Sequence, residues 1–159
     1  MSDGRRQVVL GLGNIILRDE GVGIHAMQAL KTHVGLAAAA LEFVDGGVLG
    51  MNLLPLVEEC RYLLLLDAIN AGLPPGTVME MDRETIPQLA GVKLSEHQLT
   101  FQEVLGLARL RATLPPYVHL IGIQPQDMGV GLELTPVVAE KLPEVVDRAA
   151  ARLRQWGLI

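Results

Sequence analysis

Short, unbroken apolar runs alternate along this chain with longer stretches in which apolar residues recur every three or four positions. That alternation predicts a sheet interleaved with helices. Gln7–Gly13 (QVVLGLG) reads as a buried strand, and Asp19 to about Val34 as a helix with Val22, Ala26, Ala29 and Leu30 inward. Leu41–Asp45 (LEFVD) is a second strand, followed by a GG turn and a short helix around Met51–Glu59. Arg61–Ala68 (RYLLLLDA) is the clearest strand, because four consecutive leucines need apolar cover on both faces. The turn Gly72–Gly76 (GLPPG) leads into Thr77–Glu84, whose alternating apolar and polar residues fit an edge strand with one wet face. Ser95 and Gln98 have capping-box spacing and open a helix to about Leu110. Tyr117–Ile123 is the fifth strand. The last helix starts with Thr135 as N-cap and Pro136 at the first position, its inward stripe being Val138, Leu142, Val145, Ala149 and Leu153. Pro143 inside that pattern predicts a kink or a disturbed turn.

Five strands with interleaved helices make an α/β protein, a three-layer α/β/α sandwich on a twisted, mostly parallel five-stranded sheet. The Gly72–Gly76 connection is too short to hold a crossover helix, so the fourth strand is expected to run antiparallel to the third. At 159 residues, with no repeat or linker, residues 1–159 are expected to form a single domain. Composition narrows the function. With 50% apolar and only 3% aromatic residues the core must be aliphatic. A net charge of −5 without a basic cluster argues against nucleic acid. MSDGRRQ does not read as a signal peptide, and no apolar run reaches membrane-spanning length. One cysteine, Cys60, excludes an internal disulfide and fits a reducing compartment, so a cytoplasmic protein is expected.

In open α/β sheets, ligands bind beyond the carboxyl ends of the strands, where the strand order reverses. Here the strand ends carry Asn14, Asp19 and Glu20; Asp45 with Gly46 and Gly47; Asp67; and Gln124, Pro125 and Gln126. His97 falls in the first turn of the helix after the fourth strand. A nucleotide fits poorly: Gly11-Leu12-Gly13 lacks the third glycine of the dinucleotide fingerprint, and there is no G-K-[ST]. Two carboxylates also occupy the helix start that phosphate would need. One imidazole and two carboxylates, Glu20, Asp67 and His97, form a mixed N/O set suited to nickel, zinc or iron(II). Their separations of 47 and 30 residues make no compact motif, so plainer roles stay open. Glu20 could complement a helix N-terminus, Asp67 or Asp45 could form turns, and His97 could be a surface residue. An acid directly after four leucines must nevertheless find a partner if buried. His25, His33 and His119 read as structural. Cys60 is a poor nucleophile because Glu58 and Glu59 would raise its pKa. On these grounds the chain holds a metal or acid/base site.

Six segments sharpen that reading: GLGNIILRDEGVG, DGGVLGMNLL, LLLLDAI, SEHQLTFQEVL, VHLIGIQP and GLELTP. In this order and spacing they resemble the [NiFe]-hydrogenase maturation endopeptidases. The resemblance implies removal of a C-terminal extension from a hydrogenase large-subunit precursor after nickel insertion. It puts metal-binding roles on Glu20, Asp67 and His97, and an activity-related role on Asp45. The implied nickel belongs to the precursor, zinc or cadmium being possible substitutes, and the enzyme is expected to be a monomer. Gly21 and Gly23 are expected to leave room for a large substrate near the backbone. A non-catalytic assembly factor that shields the precursor's nickel site is the alternative.

Overall fold

The computed structural model describes residues 3–47, 50–86 and 96–159, except for the side chains of residues 96–100 and 102. Its strands are β1 (Arg6–Leu12), β2 (Glu42–Gly47), β3 (Cys60–Ala68), β4 (Val78–Asp82) and β5 (Tyr117–Ile123). They form one sheet in the order β2-β1-β3-β5-β4. Every neighbouring pair is parallel except β4 with β5. The expected antiparallel strand is therefore present, running opposite to β3 and paired with β5 at the sheet edge.

The helices are α1 (Val22–Val34), α2 (Leu54–Glu59), α3 (Glu96–Leu110), α4 (Pro136–Ala139) and α5 (Leu142–Gln155). Pleating sends alternate leucines of β3 to opposite faces. Leu64 and Leu66 join the core made with α1 and α5, while Leu63 and Leu65 join the core made with α2 and α3. A fully buried leucine stabilises by about 1.5–3 kcal/mol, so a run buried on both faces anchors the sandwich. The chain passes from β1 to β2 on one side, then crosses back to β3 on the other. The strand order thus reverses between β1 and β3, and the crevice lies at their carboxyl ends.

Three elements differ from the sequence expectation. The helix predicted from Asp19 begins as a 3₁₀ turn, Arg18–Gly21, and α1 itself starts at Val22. The cause is distant: the Arg18 N–H donates to the Gly131 carbonyl and the Asp19 N–H to that of Asp127. The last helix is two, and Pro143 lies in the first turn of α5, where its missing N–H costs no helical bond. Strand β2 continues through Gly46 and Gly47: Gly46 is taken up by the register shift at Gly11/Leu12 and Gly47 pairs with Leu12, so the GG turn is still sheet. The Ser95 cap lies outside the described residues.

Candidate functional site

Two acids meet the crevice from separate strands. Glu20 rides the 3₁₀ turn that follows β1, and this turn packs on β3; Asp67 is the penultimate residue of β3. They are only 5% and 7% exposed, a rare condition for carboxylates. Asp67 Oδ1 accepts the Ala68 N–H at 2.8 Å. It has the pleat parity of Leu63 and Leu65, which face α2 and α3. Neither plain role fits well: Glu20 is buried, not a solvated helix-end charge, and Asp67 sits within a strand.

Glycines close this corner by letting backbone touch backbone. Gly13 has φ +117°, and a Cβ there would stand 1.9 Å from the Glu20 carbonyl oxygen. A Cβ on Gly23 would stand 2.2 Å from the Leu66 carbonyl oxygen and 2.5 Å from that of Leu12, so α1 begins directly on the ends of β1 and β3. A Cβ on Gly21 would stand 2.7 Å from the Ile15 Cα. The space that Gly21 and Gly23 were expected to leave for substrate is thus filled by the chain itself. Their smallness serves the close packing that fixes Glu20 beside β3.

Asp45 lies on β2, paired across from Gly11, and is exposed. Its Oδ1 accepts the Gly47 N–H at 2.9 Å, the turn-type bond that its position before two glycines allows. One strand, β1, separates it from β3. His97 falls in the first turn of α3, one turn before Phe101, which is buried with Leu63 and Leu65. The His97 side chain lies outside the described residues. Among the described residues, no three His, Cys, Asp or Glu side chains converge as metal ligands, and that set holds only two of the three expected donors. The donor chemistry, carboxylate oxygens with an imidazole reserved on a third element, fits nickel or zinc.

Two residues here exceed what the sequence indicated. Asp19 is completely buried and accepts four hydrogen bonds. Its Oδ2 takes the N–H groups of Gln126 and Asp127 and the Thr135 hydroxyl, and its Oδ1 the Thr135 N–H. Burial alone would raise its pKa, but these bonds outweigh burial and hold the carboxyl below its ordinary value. Thr135 therefore spends its hydroxyl on Asp19 and not on capping α4. Gln124, also buried, accepts the N–H groups of Ala71 and Leu73 and donates to Asn70 Oδ1. It ties the loop after β3 to the end of β5. An acid adjacent to Glu20 and a strand-end glutamine were the only signals, and neither tells which acid turns inward.

Cys60 is buried, and burial first, with Glu42 and Glu59 adding to it, pushes its thiol up to about 12. Glu58, expected to contribute, is instead engaged by the Thr113 hydroxyl and Arg111. Cys60 is no nucleophile at neutral pH.

The family model of hydrogenase maturation proteases matches residues 24–152. The chain belongs to this family. The match takes in Asp45, Asp67 and His97. The chain is similar to the hydrogenase 2 maturation protease of Escherichia coli, at 34% identity over 96% of this chain and 93% of that one. It is similar to the hydrogenase expression/formation protein HoxM of Cupriavidus necator, at 39% identity over 94% of this chain and 75% of HoxM. Among solved structures, the hydrogenase maturating endopeptidase HybD of E. coli superposes with a TM-score of 0.87 at 33% identity, covering 96% of this chain and 94% of HybD. The maturation protease HybD of Thermococcus kodakarensis gives 0.73 at 25% identity, covering 92% and 97%. This member of the family has the three-layer α/β/α fold of those relatives. Among its described residues no helix is long and apolar enough to cross a membrane.

Proposed function

We propose that this family member is an endopeptidase that removes the C-terminal extension of a [NiFe]-hydrogenase large-subunit precursor once nickel is inserted. The observation that carries the reading is a pair of carboxylates, Glu20 and Asp67, buried at neighbouring strand ends where the sheet order reverses. Glu20, Asp67 and His97 hold the nickel centre of the substrate, so that only a loaded precursor is seated for cutting. A nickel centre held by these residues would supply Lewis-acid chemistry, polarising a nearby carbonyl or activating water. Asp45, exposed at the same sheet edge, hydrogen-bonds the extension or moves the proton that the cleavage requires.

The test incubates purified protein with nickel-loaded and nickel-free precursor and reads product mass. Wild type is expected to shorten only the loaded form. Glu20→Ala and His97→Ala should keep the wild-type circular dichroism spectrum and give no shortened product. Trimming at wild-type rate by both variants would remove the ligand assignment. A stable complex without trimming by the wild type would favour a non-catalytic assembly factor.

A further inference from the structure

Ile15 and Ile16, in the loop leaving β1, are 45% and 51% exposed; Val130 and Leu132, in the loop leaving β5, are 89% and 68% exposed. The two loops form one ridge. Leu17 and Gly131 make a parallel β-bridge, with the Gly131 N–H donating to Ile16 at 2.9 Å and the Arg18 N–H donating to Gly131 at 3.0 Å. Each of the four apolar residues lies within two positions of that bridge. The Arg18 guanidinium pairs with Asp127 at 2.9 Å and donates to the Glu133 carbonyl. Beneath them, Asp19 ties the same loops together through Gln126, Asp127 and Thr135.

This is rigid construction at an energetic cost. Arg18 has φ +46°, the left-handed region that non-glycine residues avoid. The chain thus commits a strained residue and a buried carboxylate to fixing loops that leave four aliphatic side chains in water. Folding gains nothing from their exposed surface, because apolar surface stabilises only when covered. Grouped exposed apolar side chains on a fixed frame mark a surface that something else covers.

The ridge is continuous with the candidate site, because the Ile15 backbone packs on Gly21, the residue after Glu20. Its two bridging charges, Arg18 and Asp127, cancel in their ion pair, which leaves the exposed Glu133 as the charge beside Leu132. We propose that Ile15, Ile16, Val130 and Leu132 grip the protein substrate through an apolar segment of polypeptide next to the bond to be cut. This rests on the processing role proposed above and names how that substrate is held.

The test uses Ile16→Ser, Val130→Ser and Leu132→Ser, with Leu36→Ser as control. Leu36 is 96% exposed but follows the far end of α1, roughly 20 Å along the helix from the strand ends. Binding to immobilised nickel-loaded precursor is measured by surface plasmon resonance, trimming kinetics by product mass, and folding by melting of each variant. Each ridge variant is expected to melt like wild type, to weaken Kd and raise KM about tenfold, and to keep kcat within about twofold. Leu36→Ser should change none of these. Unchanged Kd and KM in all three ridge variants overturns the proposal. So does a wild-type dimer that the ridge variants dissociate while their precursor affinity stays intact. If wild type binds precursor without trimming it, and ridge variants weaken that binding, the ridge stands and the processing role falls. If wild type neither binds nor trims, both fall.

Discussion

Replacing Asp19 by alanine removes a single acceptor group from four donors, two buried and two part-buried: the N–H groups of Gln126 at 2.9 Å, Asp127 at 3.0 Å and Thr135 at 2.8 Å, and the Thr135 hydroxyl at 2.7 Å. Hydrogen bonds to a charged group contribute about 1.5–3 kcal/mol each, but a simple sum overshoots because the orphaned donors recruit water as the loop relaxes. Leaving a buried donor unsatisfied costs about 1–3 kcal/mol, and with both Thr135 donors fully buried we expect Asp19→Ala to cost about 4 kcal/mol. For a chain of this size that lowers Tm by about 8–16 °C. The assay is urea and thermal unfolding followed by the fluorescence of Trp156, the only tryptophan. Thr135→Val, which removes one of the four donors, should cost about 1.5 kcal/mol in wild type and much less in the Asp19→Ala background. The deficit must also depend on pH with a definite sign. Asp19 has a folded pKa below its ordinary value, so its stabilisation is present above the ordinary carboxylate range and is lost as pH falls through the folded pKa. The gap between wild type and variant should therefore narrow below about pH 4. A deficit under about 1 kcal/mol at neutral pH, or one that does not narrow in acid, would refute the reasoning.

Gly23→Ala should cost about 2–3 kcal/mol, since the new Cβ would stand 2.2 Å from the Leu66 carbonyl oxygen and push α1 off the strand ends. Gly106→Ala, in α3 with nothing within 4 Å of its Cβ, should gain about 0.5–1 kcal/mol; urea midpoints of equal sign for the two would contradict this contrast. His119 is 4% exposed on β5, hydrogen-bonded to Glu80 at 2.9 Å, with Asp82, Arg148 and Arg152 also near, and burial pushes its pKa below the ordinary value. The unfolded chain then takes up a proton first, so stability should fall as pH drops below about 6.5 toward the folded pKa. His119→Leu should flatten that slope between pH 7.5 and 5 in urea titrations, and an unchanged slope would assign it elsewhere.

The five strands were legible because their signal is local. Four leucines followed by an acid mark β3 to within one residue, and the unsuited spacer at Gly72–Gly76 marks the antiparallel edge strand. Candidate ligands were legible for the same reason: Glu20 and Asp67 stand at strand ends, where an open sheet gathers its chemistry. What stayed hidden depends on contacts between residues far apart in the chain. Nothing local tells that the Arg18 and Asp19 N–H groups bond to a loop more than 100 residues on, which turns a predicted helix start into a 3₁₀ turn. Nothing local tells that Thr135, with an ideal cap-then-proline sequence, gives its hydroxyl to Asp19.

By itself, then, the sequence determined the sheet, its aliphatic two-sided core and the acids at its edge, because apolar period and turn chemistry act over a few residues. Only the tertiary structure decided which of two adjacent acids clamps the distant loops. Asp19 faces four donors and becomes a clamp, while Glu20, one residue on, is buried on the 3₁₀ turn that packs against β3. Their side chains differ by one methylene, and their roles are set by what the distant chain brings to each.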